Sequence, residues 1–412
     1  MRGIARRTVI KAALGAVTAL AGGASALAQS SRMSFPQWVD HFRPRARARG
    51  ISDATYTRVM GSLKPDTSVY ALDRAQPEFQ EALWQYINRR VSDWRIRTGK
   101  ERAREHADLL ARIERDYAVD RYIMLGLWGM ESVFGDVVTN PKHMRPVLPA
   151  LAALAWGDPR RRSYWEQELL NALVIIERGW STPEEMIGSW AGAMGHSQWM
   201  PEVWLNMGVD YDHDGRVTPF GKPDDSLAGT AQYMLKRGKY RRGEPWGYEV
   251  RLPAGFKGAS SSPSGFRSVN AWMARGVTPA NGHSFARTDM QARLWRPIGG
   301  GPVFLLGQNF FAIRSYNPAS SYALAIAHLG DRIRGAGPFV QPFPGGERIL
   351  TLEELQEIQH RLTALGFDTQ GADGRVGSDT MVAVRAFQRK VGLTPADGYP
   401  GLKVLAKLRQ TS

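Results

Sequence analysis

Residues 120–135 read DRYIMLGLWGMESVFG. Asp120 is placed to cap a helix, and the residues after it are mostly apolar, which predicts a helix buried nearly all round. That run carries one acid, Glu131. Leu127, Trp128, Phe134 and Gly135 stand three or four positions from it, so on a helix apolar groups flank the carboxylate on its own face. Such desolvation disfavours the charged form and moves a glutamate toward a pKa of ~6–7, as a general acid acting on a glycosidic oxygen requires. A glutamate near a helix end that only caps or pairs is the alternative.

The chain around this helix has 412 residues, 43% of them hydrophobic, enough for a large core and more than one domain. It has no cysteine, which excludes disulfides, thiol catalysis and lipid attachment at an N-terminal cysteine. Residues 1–28 have a basic start, a small-residue apolar stretch and Ala26-Leu27-Ala28 at the end, the pattern of a cleaved export signal. Arg6-Arg7 followed by Thr8, Val9, Ile10 and Lys11 is twin-arginine-like, and a general secretory signal fits nearly as well. The expectation is a soluble periplasmic protein without a stable membrane anchor. The formal net charge is +15, with four of the cations inside residues 1–28. Export directs this positive balance toward a carboxylate-bearing wall polymer rather than nucleic acid.

Residues 35–117 read as helices, with Leu109, Leu110, Ile113 and Tyr117 at helical spacing. A further helix is expected over RRSYWEQELLNALVIIERG, with Leu169, Leu173 and Ile176 on one face, its charged residues solvated and Gly179 at its end. In 188–206, GSWAGAMGHSQWMPEVWLN, small residues allow close backbone approach, while Gln198, Trp199 and Met200 offer an amide and two broad contact surfaces. That combination suits a sugar. A tight helix junction around a buried Trp199 is the equal alternative.

Asp210-Tyr211-Asp212-His213-Asp214-Gly215-Arg216 reproduces the first half of an EF-hand calcium loop. Carboxylates stand at positions 1, 3 and 5, glycine at 6 and the Arg216 carbonyl at 7. Position 12 is Gly221 instead of an acid, so closure falls to Asp224 or Asp225, and Asp225 also stands where a helix N-cap belongs. Calcium here would be structural.

Residues 240–312 read as loops and short strands, with VFLLGQNFFAI strand-like, so a small sheet is expected beside the helices. Tyr316, Asn317 and Tyr322 flank the entry to the helix SYALAIAHLGDRIRG, placed to line a cleft or to serve as ordinary half-buried groups. GAGPFVQPFPGGER marks a linker. Beyond it Leu355, Ile358, Leu362 and Leu365 form one helical stripe, and Thr380, Val384, Phe387 and Val391 a second, in about sixty residues that suffice for a small three-helix core. No catalytic cluster appears there, so this module should bind.

GMESVFG, GSWAGAMGHSQWMP, DYDHDG, YEVRLPAGF and NFFAIRSYNPASSYALAIAHLGDRI together resemble the membrane-bound lytic murein transglycosylase B family. The tail, with LQEIQHRLTALGF and DGRVGSDTMVAVRAFQ, resembles a peptidoglycan-binding domain. The resemblance implies an α+β, mainly helical fold: a lysozyme-like catalytic domain over 29–335 containing the EF-hand-like loop at 210–225, a linker at 336–348 and a peptidoglycan-binding domain at 349–412. It implies that Glu131 is the single catalytic acid and base, cleaving the bond between N-acetylmuramic acid and N-acetylglucosamine to leave 1,6-anhydro ends. Ser189, Gln198, Met200, Tyr233, Tyr316, Asn317 and Tyr322 match family positions near the sugar, and Trp199 stands among them. Asp210, Asp212, Asp214 and the Arg216 carbonyl match the calcium loop, with Asp225 assigned as closing ligand by helix register. No organic cofactor is implied. Glycan strands are the implied partner, with cell-wall synthesis or division proteins as further candidates. His196 and Trp199 depart from the Gln or Tyr and the Phe more usual in the family, and the His196 ring is expected at the cleft edge.

Two other functions compete. A hydrolytic muramidase would need a second carboxylate ~6.5–9.5 Å from Glu131 to activate water. A non-catalytic wall scaffold would keep the cleft and the tail alone.

Overall fold

The computed structural model describes residues 33–74, 81–140, 144–260 and 262–411. The export signal expected at 1–28 lies outside them. The chain divides into two compact units, Met1–Pro77 with Gly135–Gly229, and Glu78–Phe134 with Thr230–Ser412.

In the first unit the centre is the apolar helix Val147–Gly157, packed on Arg162–Glu177. Leu169, Leu173 and Ile176 are buried as their spacing predicts. Two of the three acids of the second helix are not solvated, contrary to expectation: Glu166 and Glu168 are buried, while Glu177 at its end is exposed. Glu166 pairs with Arg45, and Glu168 accepts the backbone N–H of Glu202 at 2.9 Å, at the start of the helix Pro201–Met207. A buried acid is tolerated where it answers a cation or an orphan amide of a helix N-terminus.

The second unit is built on the helix Arg121–Ser132 and the helix Ser320–Arg334. Asp120 caps the former, accepting from the Tyr122 N–H at 2.8 Å. The two helices run antiparallel, because Tyr122 meets Gly330, Gly126 meets Ile326 and Glu131 meets Tyr322. Their approach requires glycine. A Cβ at Gly126 would lie 2.4 Å from the Ile326 carbonyl oxygen, and one at Gly330 2.6 Å from that of Tyr122.

Beside them lies the expected small sheet, five antiparallel strands in the order Arg267–Ser268, Gln291–Trp295, Val303–Gly307, Gly247–Arg251, Thr278–Pro279. VFLLGQNFFAI is strand only as far as Gly307; Gln308–Tyr316 is helix. Asn309 holds that turn, donating to the Arg241 and Glu244 carbonyls at 2.9 and 2.6 Å and accepting from the Arg241 N–H at 2.7 Å. The linker is held rather than loose. The Glu249 carboxylate accepts the N–H groups of Val340 and Gln341 at 2.8 and 2.7 Å, and Phe339 stacks on His328.

The C-terminal helices Leu352–Ala364, Ser378–Lys390 and Leu402–Thr411 enclose Leu355, Ile358, Leu362, Val384, Phe387 and Leu408. Asn88 donates to the Glu347 carbonyl at 2.8 Å and to the Tyr399 hydroxyl at 3.1 Å, tying this module to the helix Leu83–Arg90.

Candidate active site

The Glu131 helix ends abruptly. Val133 and Phe134, with φ of 56° and 58°, and Gly135, with φ of 91°, follow one another in the left-handed region. For a β-branched residue this conformation is a genuine outlier and costs on the order of 1–3 kcal/mol. The surrounding packing enforces it: Leu127, Trp128 and Phe134 are buried, and the aromatic pair meets edge to face at 5.9 Å. Glu131, one residue before the helix end, is left half-buried.

The apolar flank read from the sequence is present, and a polar group joins it at the carboxylate. Tyr322, arriving from the antiparallel helix, donates its hydroxyl to Glu131 Oε1. Burial first, then the Glu131 charge and the hydrogen bond to it, hold the Tyr322 phenol well above its ordinary pKa, so it remains a donor. Tyr316 packs edge to face on Tyr233 at 5.1 Å, and Tyr233 donates to the Ser315 carbonyl at 2.9 Å. Tyr233, Tyr316 and Tyr322 are all buried, while Asn317 is exposed and accepts from the Ala319 N–H at 3.1 Å.

Two further groups belong here that sequence reasoning did not single out. Tyr86 and Arg90 lie on Leu83–Arg90, with the Arg90 guanidinium 5.4 Å from the Tyr86 ring centroid. Both sense the Glu131 charge: burial raises the Tyr86 pKa and lowers that of Arg90, while Glu131 acts to raise each of them. The Arg90 Nε is buried without a hydrogen-bond partner. In the run QYINRR these residues carry only helix periodicity; nothing local in sequence places them near an acid 41 or more residues away.

In the other unit, residues 189–200 form a compact loop ahead of the helix Pro201–Met207, and within it Ser189 accepts the Ala193 N–H at 3.0 Å. Gln198 sits at φ 50°, its amide donating to the Gly195 carbonyl at 3.0 Å. Trp199 is not a contact surface. It is fully buried, and a Cβ at Gly229 would lie 2.6 Å from its ring, so the tight junction around a buried Trp is the reading that holds. Met200 is also mostly buried, at 8% exposure. His196 is buried rather than at an edge, its Nε2 donating to the Gly221 carbonyl at 2.8 Å and its N–H to Pro219 at 2.9 Å. Trp199→Ala is expected to destabilise the fold by about 3–5 kcal/mol, measured by denaturant unfolding.

The EF-hand-like loop brings Asp210, Asp212 and Asp214 together, with one oxygen of each within 4.8 Å of the others. Asp210 shapes the turn by accepting the N–H groups of Asp214 and Gly215 at 3.1 and 3.0 Å, and Gly215 takes φ 90°. Asp225 departs from the N-cap role assigned to it. It lies inside the helix Asp224–Lys236 rather than before it, and is not one of the clustered acids. Its carboxylate instead accepts the N–H groups of Tyr211 and Thr218 at 2.7 and 3.0 Å, bracing both ends of the loop. The remaining donors suit a hard cation. All are oxygens, and Asp212 Oδ1 is buried with no hydrogen-bond partner, while its Oδ2 faces Lys222 at 3.2 Å.

Two family models account for most of the chain. Residues 34–331 match the transglycosylase SLT domain, and 351–408 match a peptidoglycan binding domain. The chain belongs to the SLT transglycosylase family and is an enzyme acting on peptidoglycan. Among individual proteins it is similar to the membrane-bound lytic murein transglycosylase B of Escherichia coli strain K12, 29% identical over 282 residues, 67% of this chain and 73% of that relative. Its structure resembles SltB3 from Pseudomonas aeruginosa, solved in complex with NAG-anhNAM-pentapeptide: TM-score 0.71, 39% identity, 91% of this chain and 99% of that one. It also resembles the E. coli lytic transglycosylase Slt35 solved in complex with calcium, with TM-score 0.61, 25% identity, 73% of this chain and 93% of that one. These likenesses bear out the lysozyme-like α+β class with a helical C-terminal module. Among the described residues no helix is long and apolar enough to cross a membrane.

Proposed function

We propose that the enzyme cleaves the β-1,4 bond between N-acetylmuramic acid and N-acetylglucosamine by intramolecular transglycosylation, with Glu131 as both acid and base. The observation that carries this reading is the half-buried Glu131 carboxylate held by the buried Tyr322 phenol. Glu131 gives its proton to the leaving O4 as the C1–O4 bond breaks. The resulting carboxylate then takes the proton from the muramic C6 hydroxyl as O6 bonds to C1, closing the 1,6-anhydro ring. The nucleophile belongs to the substrate itself, so proximity replaces a second carboxylate. In the unit that carries Glu131, Tyr233, Tyr316 and Asn317 are proposed to contact sugar; in the other unit, Ser189, Gln198 and Met200 are, with Trp199 buried within their loop. Cleavage in water enriched in oxygen-18 tests the chemistry: intramolecular closure incorporates no label into the new ends, whereas hydrolysis incorporates one oxygen per cut.

The enzyme would act in the periplasm in wall remodelling or turnover, exported by residues 1–28. Its C-terminal module, 349–412, would hold glycan strands. Calcium, if bound, would be held by Asp210, Asp212, Asp214 and the Arg216 carbonyl, with Asp225 bracing the loop, and would neutralise the crowded acids. Saturating calcium is expected to raise the Tm by about 5 °C over chelated protein, as a ligand at ~100-fold its Kd contributes roughly 2.7 kcal/mol. Asp212→Asn should abolish that difference; an equal Tm with calcium and with chelator in the wild type would refute the site.

A further inference from the structure

A cavity of about 390 Å³ lies in the sheet region, walled by Phe256, Phe266 and Trp272 and by the cations Lys257, Arg267 and Arg275. Its charge is of one sign. The Arg275 guanidinium stacks 4.9 Å from the Phe256 ring centroid and 5.3 Å from that of Trp272, and Arg267 lies 5.8 Å from the same indole, so two like charges share one ring. Arg293 extends the group, 4.2 Å from the Phe266 centroid, with its Nε buried and unpartnered. Elsewhere the arginines are commonly answered by acids, as Arg89 is by Glu81, Arg121 by Glu114 and Arg409 by Glu357. Here Lys257, Arg267, Arg275 and Arg293 form no ion pair with any described residue.

We infer that this cavity is a non-catalytic subsite for the carboxylate-bearing peptide stem of wall glycan. Stacking on aromatic faces fixes the plane of each guanidinium and leaves its edge N–H donors for an anion, the arrangement that suits bidentate recognition of a carboxylate. An anionic group between Arg267 and Arg275 relieves their mutual repulsion. The apolar walls fit small aliphatic side chains, and the volume accommodates a short peptide rather than a folded polymer. The inference rests on the wall-glycan reading above, but it concerns a site on different residues from Glu131.

The test is calorimetric titration of full-length Glu131→Gln protein with a free, sugar-less stem tetrapeptide. Controls are the same peptide with amidated carboxyls and inorganic polyphosphate as competitor. The expected result is saturable binding at low salt, weakened at least ~10-fold by amidation and by the double substitution Arg267→Gln/Arg275→Gln. With Glu131 intact, the double variant should cleave peptide-free glycan at the wild-type rate. Unchanged affinity in the double variant, or no binding at all, overturns the inference. So does equal binding of the amidated peptide, which would show that the carboxylates are not what the cavity recognises. The amidation comparison leaves the cavity intact, so it decides the matter even if the double variant is unstable. Because the probe carries no sugar, failure of the Glu131 chemistry would show in glycan cleavage and not in this titration.

Discussion

Replacing Glu131 with Gln should lower muropeptide release from sacculi at least ~10³-fold, because both proton transfers of the proposed cycle pass through one carboxylate and each such role is worth 10²–10⁴. The amide is nearly isosteric, and its carbonyl still accepts the Tyr322 hydroxyl that now meets Oε1. Fold and glycan binding should therefore survive. The check is release from purified sacculi alongside the Tm and sacculus co-sedimentation of the same variant. Retained release would remove Glu131 from the chemistry, while loss of both release and binding would point to a structural defect.

The second large effect is expected at Tyr322. It is a positioning residue in this account: buried, kept protonated, and bonded to one carboxylate oxygen of Glu131. Tyr322→Phe keeps the ring and its packing but removes the donor. A hydrogen bond to a charged group contributes about 1.5–3 kcal/mol, which corresponds to a roughly 10–100-fold loss of kcat. KM should change little, because the hydroxyl holds the acid and not the sugar. A purely structural role would instead lower the Tm and leave kcat per folded molecule unaltered. That split separates the two.

What could be read from residues alone was the part governed by local pattern. The Asp120 cap, the buried helix after it and the apolar stripes of the C-terminal module follow from spacing within one element, and the structure places them accordingly. The partner of Glu131 was less accessible. Tyr322 was singled out as a cleft residue, but its hydrogen bond spans 191 positions and exists only because Gly126 and Gly330 let two helices close together. Tyr86 and Arg90 had no local signal at all. Trp199 and His196 show a different limit. An indole or imidazole in a glycine-rich loop has the same composition whether it faces a ligand or fills the core, and here both are buried. Likewise Asp225 was close enough in register to close a calcium loop, yet two backbone amides take its oxygens. Which amides a carboxylate serves is decided by the folded backbone and not by register.

The most direct test of the central claim is mass spectrometry of the muropeptides that the mature enzyme releases from purified sacculi, with and without borohydride. Intramolecular closure predicts muramic ends lighter by one water than the reducing form and unchanged by the reductant. Reducing ends that take up hydrogen on borohydride treatment would contradict it, and would mean that a water, rather than the C6 hydroxyl, attacks C1.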